Sequence, residues 1–122
     1  MPLAEITIGK GRPITFTITY LNAGVGAAAC YLYNSQGLSP KEIVGTVTNN
    51  GDSQVFDVQE ADLTGRLLFI RALVTPLKVP DVGRAQTLVK EPGGSGKNQL
   101  NDAELVTDMG KPADLRFAYQ FK

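Results

Sequence analysis

The chain has 122 residues and a mass of 13.1 kDa, one domain's worth of protein and long enough to bury about two-thirds of its unfolded surface around a single core. Basic and acidic residues both number 12, so the formal charge is zero; phosphate-backbone binding calls for a basic excess, and nucleic acid is not an expected partner. With no His, no Trp and only Cys30, the sequence cannot supply a Ser-His-Asp or Cys-His nucleophile, an imidazole metal ligand, a structural zinc site or an internal disulfide.

Residues 1–12 show no basic stretch followed by an apolar one, so no secretory signal is read there. The expected location is cytoplasmic, or outside the cell by a route without a cleavable signal. A strand is expected at 3–8. Residues 13–40 carry no charge. That length would span a bilayer as a helix, but Ile14, Phe16, Ile18 and Tyr20 alternate with Thr15, Thr17 and Thr19, which is the period of a strand. No transmembrane helix is expected. A second strand at 27–33 completes a predicted hairpin around a loop at 22–26. It is apolar on both faces, with Ala28, Cys30 and Leu32 on one and Ala29, Tyr31 and Tyr33 on the other.

Ser39-Pro40-Lys41-Glu42 has the form of a capping box with Pro at the first helical position and predicts one helical turn. Strands at 43–48 and 54–58 flank Asn50-Gly51, whose residues tolerate the positive φ of a tight hairpin turn. The run 66–74 again has two apolar faces: Leu68, Ile70, Ala72 and Val74 on one, and Leu67, Phe69 and Leu73, interrupted by Arg71, on the other. A strand of this kind is covered on both sides. The candidate covers are the Leu77–Gly83 segment and a second subunit.

A strand at 85–90 precedes the polar, glycine-rich stretch 91–101. Gly93-Gly94-Ser95-Gly96-Lys97 lacks the first Gly and the final Ser/Thr of a phosphate loop, since Glu91 and Asn98 stand there, and it reads as a flexible connection. Asn101-Asp102-Ala103-Glu104 predicts a second helical turn, with a strand at 103–107 as the other reading of that region. The last strand, 115–121, alternates Leu115, Phe117, Tyr119 and Phe121 with Arg116, Ala118, Gln120 and Lys122.

Many short strands with little helical periodicity predict an all-β chain: one antiparallel β-sandwich over residues 1–122, jelly-roll or immunoglobulin-like, with about eight strands and at most one or two helical turns. No catalytic constellation is nominated and no cofactor is expected. Cys30 lies in an apolar strand and reads as a small buried hydrophobe. Asp52, Asp57, Asp102, Glu104 and Asp108 lack the Asp-x-Asp-x-Asp-Gly spacing of a calcium loop and read as turn residues.

The residues nominated for contact are Tyr31, Tyr33, Phe69 and Arg71, because Tyr and Arg combine large contact area with a polar end. The resulting expectation is a non-enzymatic module acting through protein–protein contact, by self-association or with another protein. The alternatives are a carbohydrate-type binding module using Asn22, Asn34, Gln36, Asn49 and Asn50, and a membrane-active β-hairpin from residues 13–40.

Overall fold

Strand by strand, the period-two patterning becomes two layers. The computed structural model describes residues 3–6, 14–21, 23–33, 41–43, 45–47, 53–58, 63, 65–90 and 97–121. Ten strands occupy them: β1 (Leu3–Ile6), β2 (Ile14–Leu21), β3 (Ala23–Tyr33), β4 (Lys41–Ile43), β5 (Gly45–Val47), β6 (Ser53–Val58), β7 (Leu67–Pro76), β8 (Asp81–Lys90), β9 (Lys97–Val106) and β10 (Ala113–Phe121). One sheet has the order β1-β10-β7-β3-β4 and the other β5-β6-β2-β8-β9. The architecture is the expected β-sandwich, antiparallel except for β1, which runs parallel to β10.

The faces turned inward are those the alternation selects. Ile14, Phe16, Ile18 and Tyr20 of β2 meet Leu68, Ile70, Ala72 and Val74 of β7 and the Leu115–Phe121 series of β10 in one cluster. Full burial of each Val, Leu, Ile or Phe side chain among them stabilises the fold by about 1.5–3 kcal/mol. Phe16 and Phe56 are register partners whose rings stack 4.9 Å apart. The one buried polar residue among those described, Thr87 on β8, shares a hydrogen bond with the Tyr119 hydroxyl on β10 and so ties the layers together.

Four expectations need correction. The segments 14–20 and 27–33 do not form a hairpin. β2 has both edges occupied, by β6 and β8, so the chain crosses to the other layer and β3 pairs with β7 and β4. The crossing depends on Gly26. A Cβ there would lie 2.5 Å from Tyr20 Cγ, so the missing side chain is what admits the Tyr20 ring to the core. The Tyr20 hydroxyl donates to Gln54 Oε1, which also accepts the Ala28 N–H at 2.9 Å. This junction fastens the corner to β6.

The helical turns are also absent from the described residues. Lys41 and Glu42 lie in β4, opposite Leu32 and Tyr31, while Ser39 and Pro40 fall outside the described residues. Asn101 to Glu104 occupy the middle of β9, opposite Gln86 to Gly83. A ladder along ten residues outweighs one capped turn. The run 43–48 divides into β4 and β5 on opposite sheets, which with β9 raises the strand number above eight.

Other local signals hold. β5 and β6 pair in the register that a two-residue loop at Asn50-Gly51 sets, although those two residues lie outside the described set. The connection expected over 91–101 is overturned at 97–101, which belong to β9; β8 and β9 are antiparallel, which is not the strand-to-helix setting of a phosphate loop.

Candidate interaction surface

Because β7 lies between β3 and β10, its second face shares a surface with theirs. Register fixes that surface in rows. Tyr31, Phe69 and Ala118 are successive neighbours, continued by Leu3 of β1. On one side run Ala29, Arg71 and Arg116, then Ala27, Leu73 and Asp114. On the other side run Tyr33, Leu67 and Gln120. All four residues nominated from the sequence therefore stand on one outer face: Tyr31 beside Phe69, Arg71 one row away, and Tyr33 beside Leu67.

The expected loop cover is not there. Residues 77–80 bend at the end of the sandwich between β7 and β8, with Val79 against the core and Leu77 65% exposed. On the outer face Tyr31, Tyr33, Leu67 and Phe69 stay half-buried, while Leu73 is 40% and Leu3 57% exposed. Each side chain lies against its strand neighbours and still offers apolar area to solvent.

The opposite outer face has a different character. There Thr15, Thr17 and Thr19 of β2 stand beside Lys90, Leu88 and Gln86 of β8, and Gln99 Nε2 donates to Gln86 Oε1 at 2.6 Å. Thr15 donates to Asp57 at 2.8 Å. Around these contacts stand aliphatic side chains, Val55 and Leu88 half-buried and Leu21 and Leu105 36% and 63% exposed, and among its described residues this face carries no aromatic.

Charge on the first face centres on Asp114, a residue the sequence reading missed. Arg71 grips it with two bonds, Nε to Oδ1 at 2.9 Å and Nη2 to Oδ2 at 2.8 Å, and Arg116 Nη2 adds a third at 3.3 Å. The hydrogen bond from Arg71 is the main reason the Asp114 carboxyl is held down at about 2, well below the usual carboxylate range. The same bond pushes the Arg71 guanidinium up. Asp114 lies opposite Leu73 and not opposite either arginine, so no sequence spacing announces the cluster. Beside it, Ala27, Ala28, Ala29, Tyr31, Arg71 and Leu73 line a recess of about 270 Å³. The small side chains of β3 leave that space.

Two other recesses lie near β9. One, of about 400 Å³, is lined by Leu21, Arg84, Ala85, Asn101, Asp102 and Ala103; the other, of about 360 Å³, by Asp102, Glu104, Asp114 and Arg116. The carboxylates there have structural work: Asp102 Oδ2 accepts the Arg116 backbone N–H at 3.3 Å and its Oδ1 that of Ala103 at 3.0 Å. Asp108 accepts the Gly110 N–H at 2.8 Å within a turn. Among the described residues no group of three or more His, Cys, Asp or Glu is placed to hold a metal ion. No helix among them is long and apolar enough to cross a membrane.

Cys30 is fully buried and its thiol is pushed up by burial, which removes the thiolate that nucleophilic chemistry needs. The asparagines and glutamine considered for carbohydrate, Asn22, Asn34, Gln36, Asn49 and Asn50, lie outside the described residues. The chain matches no protein-family model, no curated protein and no solved structure.

Proposed function

We propose that the protein is a non-enzymatic interaction module that acts through protein–protein contact, using the outer face of β3, β7 and β10. One observation carries this reading: the two outer faces of the sandwich differ. One carries threonines, glutamines and aliphatics, with no aromatic among its described residues. The other keeps aromatic and aliphatic side chains half-exposed around a bidentate arginine pair. Tyr31, Tyr33, Phe69 and Arg71 supply the residue types that dominate protein interfaces.

The test uses a benzophenone amino acid in place of Phe69, or in place of Thr17 on the opposite face, in cells that make the protein. Photo-crosslinks to polypeptide, whether to copies of this chain or to another protein, are expected from position 69 well above those from position 17. Equal labelling from both positions would overturn the assignment.

A further inference from the structure

The proposed contact face is complementary to itself, and we propose that its occupant is a second copy of this chain, related by a two-fold axis running along β7. This rests on the interaction reading above and names the partner.

The argument begins with size. β3, β7 and β10 contribute 11, 10 and 9 residues, and the short β1 and β4 flank them. At about 3.3 Å per residue and about 4.8 Å between strands, the face covers roughly 600 Å². Two copies then bury about 1,200 Å², the lower end of the range for specific protein interfaces. The dimer is accordingly expected to be concentration-dependent.

Shape comes next. A two-fold axis along β7 lays β3 of one copy over β10 of the other, row on row. Tyr31 then faces Ala118, large against small. One row away, Arg116 faces Ala29, and Asp114 faces Ala27 beyond it. The two alanines belong to the 270 Å³ recess, so the partner's polar side chains arrive where β3 leaves room. In the Ala29 and Ala27 rows a bulky position on one strand meets an accessible small one on the other; Ala118 is already covered within its own copy, and in the remaining row Tyr33 faces Gln120.

Electrostatics permits the arrangement. The axis passes Phe69, Arg71 and Leu73, which face their own copies. Two bare guanidiniums there would repel. Each Arg71 instead arrives bound in bidentate fashion to Asp114, which Arg116 also reaches, so each copy brings an Arg–Asp–Arg cluster of net charge +1 in place of two bare guanidiniums, with donors to spare.

The experiment is light scattering on the purified full chain over a thousandfold concentration range. A monomer–dimer equilibrium is expected, at least tenfold weaker in Phe69→Asp. Ala29→Arg, which fills the recess from the surface, is expected to weaken association by a similar factor without lowering the melting temperature, and it covers the case in which Phe69→Asp fails to fold. Facing sheets are about 10 Å apart, too far for a disulfide, so the geometry is read with a short bismaleimide. Leu73→Cys is expected to give a crosslinked dimer and Thr17→Cys none, the buried Cys30 remaining unlabelled.

A monomer at every concentration would overturn the proposal, as would a dimer indifferent to Ala29→Arg or one crosslinked equally from position 17. The broader reading would fall separately. Benzophenone at position 69 that captures a different protein keeps the interaction role without the dimer, whereas no preference over position 17 removes both.

Discussion

Gly26→Ala tests whether the β2–β3 corner is held as described. The added methyl would lie 2.5 Å from Tyr20 Cγ and 2.7 and 2.8 Å from its two Cδ atoms. These atoms are the root of a ring that is only 5% exposed, so it cannot swing aside into solvent. Forcing an extra carbon into such a site costs about 1–3 kcal/mol. If the ring is displaced, its hydroxyl leaves Gln54, which also holds the Ala28 N–H. Leaving such part-buried groups unsatisfied costs about 1–3 kcal/mol more. The gain from restricting the unfolded chain offsets only about 0.4–1 kcal/mol. The net expectation is a loss of about 1–6 kcal/mol, at its upper end a large fraction of the stability of an ordinary domain.

Urea unfolding of the parent, Gly26→Ala, Tyr20→Ala and the double variant measures the effect as a cycle. Once the ring is gone the methyl has nothing to strike, so Gly26→Ala in the Tyr20→Ala background should leave only the gain of about 0.4–1 kcal/mol from the restricted unfolded chain. A cost below about 1 kcal/mol in the parent, or the same cost in both backgrounds, would refute the account of the corner.

Three further outcomes follow from the core and the outer face. Burial pushes the Tyr119 hydroxyl up to about 12 despite its bond to Thr87, and it raises Tyr20 and Cys30 as well. A group with a raised folded pKa keeps its stabilising effect below the unfolded pKa and loses it as pH climbs toward the folded one. Urea midpoints should therefore fall from about pH 9 upward, by about 1.4 kcal/mol per pH unit for each group within its window. Tyrosinate absorbance from Tyr20 and Tyr119 should appear only with unfolding; the chain has four tyrosines, and a third or fourth tyrosinate titrating before unfolding would contradict it. Tyr119→Phe should cost about 1–3 kcal/mol by stranding the Thr87 hydroxyl, and adding Thr87→Val should recover part of that loss in the same denaturation assay. Arg71→Ala should leave the urea midpoint nearly unchanged, since its pair with Asp114 is solvent-exposed, yet raise the Asp114 carboxyl toward the ordinary range, as read by carbon-detected titration. Asp114 favours the fold above its unfolded pKa, and that small contribution disappears as pH falls through about 2.

What could be read from the sequence was whatever a strand carries within itself. The alternation in β2 and β10 identified both inner faces because each buried position repeats every second residue. Asn50-Gly51 announced the β5–β6 pairing because turn chemistry is local. What failed depended on partners distant in sequence. β9 carries the polar residues of a loop and a capping signature, and only its pairing with β8 makes it a strand. The supposed β2–β3 hairpin failed because β6 and β8 take both edges of β2, which no window around residue 22 contains. The second apolar face of β7 was legible, as were Tyr31, Phe69 and Arg71 upon it. Asp114 was not, because it reaches Arg71 diagonally between strands 43 residues apart.

The place of β10 in its sheet has a consequence for how the molecule is made. This strand comes last of the ten described, yet it lies between β1 and β7, both synthesised before it. During translation β7 must wait with one edge unpaired while residues 77–121 are added, roughly 2–9 s at ordinary elongation rates. For that interval the nascent sheet presents an open apolar strand, the form most prone to pair with a neighbouring chain. Ribosome-bound chains stalled with residue 112 just emerged should be cut by protease near β7, and those with residue 121 fully emerged should not. Completion of the layer is thus a final insertion step, and the cell must keep that slot clear until the strand that fills it has been made.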